Sequence, residues 1–201
     1  MTRLYLIRHG NTDWVGRVLA GRAPGIALNA EGREQAARLP DRLAGVPIDK
    51  IVSSPLERAR ETAAPLAARL GLEVEVRDGV TEVDYGDWTG RTFAEVGPDP
   101  LWRRYDATRS VTRIPGGELA LEVQARVVAE LERLARETPD GVVAVVSHGD
   151  PIKSALAHVV GSPLDLIQRL EISPASVSVV ELGDRGPRVL CVNDTGASPR
   201  P

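Results

Sequence analysis

The sequence predicts an α/β fold: a three-layer sandwich with a mainly parallel sheet of about six strands and a small helical cap. Three observations carry that expectation. Short apolar runs alternate with helical stretches along most of the chain, as in strand, crossover helix and parallel strand units. The two most continuous runs, Leu4-Tyr5-Leu6-Ile7 and Val142-Val143-Ala144-Val145-Val146, lack the polar alternation of a half-exposed strand and suit strands covered on both faces. Both also stop at a histidine followed by glycine, in Arg8-His9-Gly10 and in Ser147-His148-Gly149. In open α/β sheets ligands bind beyond the carboxyl ends of the strands, and glycine lets backbone come close to them.

Taken in order, the first strand leads into residues 11–29, which contain four glycines or prolines and no sustained period. They read as a long loop over the strand ends. Helical signals run from Ala30 toward Leu43, with Pro40 predicting a kink or an early stop. A second strand follows at Ile48–Ser53. Ser54-Pro55-Leu56-Glu57 then has the form of a capping box, with Ser as N-cap, Pro at the first helical position and Glu at the third. That helix should reach Leu70, where Gly71 supplies a stop, and it carries Arg58 in its first turn. The guanidinium of Arg58 can therefore reach the crevice that Arg8 faces.

Leu72–Val76 reads as a third strand. Residues 78–90 are too rich in Gly and Asp for a regular element and should form a loop at the same end of the sheet. Residues 92–115 place Phe93, Trp102 and Tyr105 on short helical pieces broken by Gly97-Pro98-Asp99-Pro100, and are read as a cap or lid inserted into a single domain spanning residues 1–201. A long amphipathic helix is expected over Glu118–Glu137, with Leu121, Ala125, Val128, Leu131 and Leu134 on its apolar stripe. After the strand Val142–Ser147 another helix should open with Asp150 as N-cap. A helical piece at Pro163–Leu170 and closing strands at Ser176–Leu182 and Arg188–Val192 complete the fold, and the Gly-, Ser- and Pro-rich tail beyond Asn193 is expected to fray. An edge strand there could support a homodimer.

Composition narrows the function. The 201 residues are 42% hydrophobic and 26% charged, with net charge −3, the balance of a globular protein. That balance argues against general nucleic-acid binding, which rests on many Lys and Arg contacts to phosphates, whereas a small anion needs only a local cluster of cations. No basic segment followed by an apolar stretch opens the chain, and no run approaches ~20 apolar residues. Secretion and membrane spanning are not expected, and the cytoplasm is the default location. The single Cys191 lies in Val189-Leu190-Cys191-Val192 and reads as a buried, inert strand residue, so neither a disulfide nor a cysteine metal site is expected.

Two of the three histidines, His9 and His148, end the two most apolar strands; His158, inside a helix, reads as structural. With Arg8 and Arg58 they put two fixed cations and two imidazoles at predicted strand ends. Guanidinium groups bind phosphate oxygens in a bidentate manner, and an imidazole can act as nucleophile, donor or acid. A metal is the competing account of paired histidines. Neither HExxH nor a third ligand at a suitable spacing is present, and adjacent arginines would repel a divalent ion, so no metal or cofactor is expected.

Five blocks, in order, then resemble the signature of the histidine phosphatase superfamily (branch 1), which includes the cofactor-dependent phosphoglycerate mutases. They are Leu6-Ile7-Arg8-His9-Gly10-Asn11-Thr12, Ser53 to Thr62 around Arg58, Glu82 with Tyr85-Gly86-Asp87-Trp88-Thr89-Gly90, Pro115-Gly116-Gly117-Glu118, and Ser147-His148-Gly149. The tail resembles an actinobacterial subgroup labelled probable phosphomutases. The resemblance implies a phosphoglycerate mutase-like fold, with His9 as the nucleophile that becomes phosphorylated. Arg8, Arg58 and His148 would hold the phosphoryl oxygens, Glu82 would donate a proton to the leaving oxygen, and Asn11 and Gly149 would join the substrate-binding set. Many relatives place Asn after the first Trp; here Val15 follows Trp14, so that contact is absent or comes from Asn11 or backbone amides. Thr89 and Leu119 also depart from the usual residues. Arg17, Arg22, Arg91, Arg103 and Lys153 could contact the rest of a substrate, although each reads first as a surface charge.

The expected activity is metal-independent hydrolysis of a small phosphorylated metabolite through a phosphohistidine. The alternatives are a phosphomutase that returns the group to a second hydroxyl, and a non-catalytic phosphate-binding module.

Overall fold

The computed structural model describes residues 1–196. A six-stranded sheet has the order β3-β2-β4-β1-β5-β6. Its members are β1 (Thr2–Arg8), β2 (Lys50–Ser53), β3 (Val74–Val76), β4 (Val142–Ser147), β5 (Val177–Leu182) and β6 (Arg188–Asp194). The first four of these strands are mutually parallel, and β5 and β6 continue the sheet in antiparallel pairing. The three-layer, mainly parallel architecture expected from the sequence is the one observed.

Every residue of β4 is buried. Val143 and Val145 pack with α5 (Ala120–Glu137) and α6 (Gly149–Val160), whereas Ala144 and Val146 pack with α1 (Ala30–Arg42) and α2 (Glu57–Leu70). Both faces of the strand are covered by helices, which is why its sequence shows no alternation.

Register brings the site together. Arg8 lies opposite Ser147, and His9 N–H donates to the Ser147 carbonyl at 2.9 Å, so His9 and His148 leave the sheet side by side. Ser53 lies opposite Val146, and Ser54 N–H donates to the Val146 carbonyl at 2.9 Å, which brings the end of β2 alongside. A close backbone approach supports the turn after β1. A Cβ on Gly32 in α1 would lie 2.0 Å from the Asn11 carbonyl oxygen, and one on Gly10 would lie 2.6 Å from the Gly32 oxygen. Only glycine fits this crossing.

Several local expectations need correction. Ser54 is not the cap of α2: the helix starts at Glu57, Leu56 occupies the cap position, and no side chain caps it. The Ser54 hydroxyl is held instead by His148, and Glu57 accepts a hydrogen bond from Gly25 N–H. Asp150 is likewise not an N-cap; α6 starts at Gly149, and Asp150 in its first turn turns toward Tyr85 and Arg109. Pro40 falls within α1, two residues from its end, whereas Asn29 caps the start by accepting from Gly32 N–H. In α5 the buried stripe is Ala120, Val123, Val127, Leu131 and Leu134, so the expected Leu121 and Ala125 face outward. A hydrophobic pattern fixes a helical period more firmly than its phase when apolar residues are abundant on two sides.

Residues 92–115 contain α3 (Phe93–Val96) and α4 (Pro100–Ala107). Trp102 and Tyr105 in this segment pack with Trp88, ring centroids 5.2–5.7 Å apart, joining the segment to the larger apolar core. The piece expected at Pro163–Leu170 is a 3-10 helix over Leu164–Arg169. Cys191 is half-buried rather than buried. Its strand β6 has two register shifts against β5, irregularities that work against further pairing at an edge. Asp194 still belongs to β6, so fraying does not begin at Asn193, and residues 197–201 lie outside the described residues. Among the described residues no helix is long and apolar enough to cross a membrane.

Candidate active site

A cavity of about 610 Å³ opens over the carboxyl ends of β1, β2 and β4. Arg8, His9, Arg58, Glu82 and Gly149 line it; His148 lies immediately behind, fully buried. The imidazole centroids of His9 and His148 are 5.1 Å apart, with the rings tilted by 59°. Six of the seven residues proposed from sequence for the site, all but Asn11, are therefore at one place.

His9 Nδ1 is 2.7 Å from the Gly10 carbonyl oxygen, a group that only accepts. In the neutral ring Nδ1 thus carries the proton and Nε2 keeps a free lone pair. Burial, followed by the Arg58 and Arg8 charges, holds the His9 pKa well below the ordinary histidine value, which keeps the ring neutral. Arg58 is 1% exposed, a costly place for a cation without a partner anion. One of its terminal nitrogens donates to the Gly21 carbonyl at 2.8 Å, while Nε and Nη1 have no partner among the described residues. Arg8 donates from Nη1 to the Ile172 carbonyl, and its buried Nε is also unpartnered. Three buried guanidinium nitrogens without acceptors, beside a neutral imidazole, make a receptor for an anion with several oxygens.

Glu82 sits opposite. Its Oε1 accepts from Val83 N–H at 2.9 Å, and its Oε2 is 3.9 Å from His148 Nδ1. Burial first, and then the nearby Asp150 carboxylate, push its pKa up to about 7 against the opposing pull of Arg58. A carboxyl poised there can give a proton and take one back near neutrality. Burial also acts to raise Asp150, but Arg109, Lys153 and the Tyr85 hydroxyl outweigh it and keep Asp150 ionised. The two carboxyls are thereby split into one acid and one anion.

Asn11 does not join this set. Its amide nitrogen donates to Glu31 Oε2 at 2.6 Å, and the residue is not on the cavity wall. Thr12 is the polar side chain there; its oxygen accepts from Trp14 N–H at 3.3 Å and keeps its own proton to donate. Val15 makes an apolar part of the same wall. Of the five outlying cations, only Lys153 lines the cavity; Arg22 is occupied by Glu118 and the Glu82 carbonyl, and Arg91 and Arg103 by backbone oxygens.

Sequence reasoning missed Arg109 and Asp150. Arg109, 4% exposed, bonds Asp150 Oδ2 at 3.0 Å, Asp106 at 2.7 Å and the Tyr105 hydroxyl at 3.3 Å, linking the segment after α4 to the start of α6. An Asp immediately after His148-Gly149 is the one signal in the sequence, and it fits a helix cap equally well.

The profile of the histidine phosphatase superfamily (branch 1) matches residues 4–195. The chain belongs to this superfamily. A bifunctional protein of Mycobacterium tuberculosis is 40% identical over 203 residues, covering 97% of this chain and 54% of the relative. The chain thus spans about half the length of that relative. Phosphoserine phosphatase 1 of Hydrogenobacter thermophilus is 32% identical over 200 residues, covering 97% and 93% of the two chains. The solved structure of a mycobacterial glucosyl-3-phosphoglycerate phosphatase superposes with a TM-score of 0.84 at 31% identity, covering 96% of this chain and 98% of that one.

Proposed function

We propose that this histidine phosphatase hydrolyses a small phosphomonoester through a phosphohistidine on His9. The observation that carries the reading is the hydrogen bond from His9 Nδ1 to the Gly10 carbonyl, which turns a neutral Nε2 into the nucleophilic end of a ring facing two arginines with unpartnered N–H groups. In the first step the Nε2–P bond forms and the P–O bond to the alcohol breaks. Glu82 gives its proton to the leaving oxygen. In the second step water attacks phosphorus, Glu82 takes the water proton, the N–P bond breaks and inorganic phosphate leaves. Arg8 and Arg58 stabilise the phosphoryl oxygens throughout, acting as fixed charges where phosphoryl transfer needs them.

Phosphoserine and glucosyl-3-phosphoglycerate phosphatases among the relatives support a small phosphorylated metabolite as substrate. All the residues in this scheme come from one copy of the chain. The segment 92–115 acts as its cap in this reading, with Phe93, Trp102, Asp106 and Arg109 on the cavity wall. A cytoplasmic setting belongs to the proposal and agrees with a chain whose one cysteine is unpaired.

The test is incubation with a panel that includes phosphoserine, 3-phosphoglycerate and 4-nitrophenyl phosphate. Release of inorganic phosphate, with an acid-labile, base-stable phosphoenzyme trapped on His9, supports the reading. Isomerised product without net phosphate release would assign a mutase instead.

A further inference from the structure

Ser54 has the sequence context of a helix cap but performs a different task in the fold. Its oxygen lies 2.7 Å from His148 Nε2 and also accepts from Leu56 N–H at 3.3 Å. The only acceptor within reach of its proton, among the described residues, is His148 Nε2. Both side chains are completely buried, so no water competes for that bond. The opposite nitrogen, Nδ1, has no partner among the described residues and lies 3.9 Å from Glu82 Oε2, too far for a hydrogen bond.

Resting on the phosphatase reading above, we propose that Ser54 is a positioning residue: by donating its hydroxyl proton to Nε2 it fixes the single proton of neutral His148 on Nδ1, where it meets a phosphoryl oxygen. The ring is neutral because burial, followed by Arg58, His9 and Arg8, opposes a second proton. A neutral imidazole has one N–H, and its place decides whether the ring attracts or repels an oxygen. With the proton on Nε2, the Nδ1 lone pair would confront the lone pairs of the phosphoryl oxygens. With the proton on Nδ1, His148 becomes a donor beside the ring of His9. The buried, unpartnered Nδ1 of the free protein is then a group that finds its acceptor only when the phosphoryl group enters.

The experiment is nitrogen NMR of histidine-labelled protein. Only three histidines are present, and the exposed His158 is assigned with His158→Gln and His9 with His9→Ala. In the wild type His148 should show a protonated Nδ1 and an unprotonated, hydrogen-bonded Nε2. Ser54→Ala should move the proton toward Nε2, lower kcat for an alkyl phosphomonoester on the order of 10²-fold, and change KM far less. Ser54→Thr, which keeps the hydroxyl, should recover most of the loss. A wild-type His148 protonated at Nε2 in a protein that releases phosphate overturns the role of Ser54 and leaves the phosphatase standing; so does an unchanged kcat in Ser54→Ala. The Nδ1–H tautomer in a protein inert toward every phosphomonoester would do the reverse. The wild-type spectrum decides the tautomer even where a variant does not fold.

Discussion

His9 and His148 face one another across 5.1 Å, and each ring has one nitrogen already engaged: Nδ1 of His9 by the Gly10 carbonyl, and Nε2 of His148 by Ser54. The remaining nitrogens are thereby given different characters, a lone pair on one ring and a donor on the other. That difference suits an electrophilic phosphorus flanked by electron-rich oxygens.

In the proposed scheme His9→Ala removes the lone pair that attacks phosphorus. Turnover should fall about 10⁴-fold while vanadate or phosphate binding persists through Arg8, Arg58 and His148. Phosphate release and calorimetric titration of the same sample check both halves, and retained turnover would exclude His9 as the nucleophile.

Glu82→Gln should act according to leaving group. For an alkyl phosphomonoester the rate should drop about 10²–10⁴-fold, and for 4-nitrophenyl phosphate much less, because a phenolate leaves without help. The wild-type alkyl rate should decline as pH rises through about 7, where Glu82 loses its proton, and the variant should lack that limb. The same raised pKa has a stability consequence. The folded protein binds this proton more tightly than the unfolded chain, so folding stability should fall as pH rises from the ordinary carboxylate range toward 7, and Glu82→Gln should flatten that slope in urea titrations.

Arg58→Gln removes a buried charge beside His9. Phosphate affinity should fall roughly 10–100-fold, the scale of charge-assisted hydrogen bonds. Because Arg58 is a leading cause, after burial, of the lowered His9 pKa, its loss should raise that pKa and move the low-pH limb of activity to higher pH. A pH profile that keeps its acid limb in place would show that Arg58 does not set the charge of His9.

Arg109→Ala should cost up to about 3 kcal/mol, the lower edge for a broken buried pair, since it takes the buried cation from a half-buried Asp150 that keeps Tyr85 as a partner. Adding Asp150→Ala should recover part of that loss, and a double-mutant cycle in urea measures the coupling.

Gly32→Ala tests the backbone crossing under the nucleophile. The new methyl would meet the Asn11 oxygen at 2.0 Å, so the turn after β1 must shift; a loss of about 1–3 kcal/mol should accompany reduced turnover, read by thermal melting and initial rates.

The sheet was legible in the sequence because β1 and β4 are covered on both faces, and uninterrupted apolar runs record that. Arg8, His9, Arg58, Glu82 and His148 were legible because each ends a strand, opens a helix or sits in a block that resembles a family signature. What sequence could not give were partnerships made by the third dimension. Ser54 and Asp150 carry local capping signals that long-range partners override, His148 in one case and Tyr85 with Arg109 in the other. The family resemblance offers Asn11 in place of the amide missing at Val15, yet α1 draws its amide to Glu31. Arg109 lies in a stretch without periodicity, where nothing local distinguishes it from its exposed neighbours.

The aromatic cluster of Trp88, Trp102 and Tyr105 has an optical corollary. Trp14 and Trp102 border the cavity, Trp88 stacks on Trp102, and these are all the tryptophans in the chain. Every indole fluorophore is thus clustered in one neighbourhood, and the intrinsic emission of the unlabelled protein becomes a gauge of what enters there.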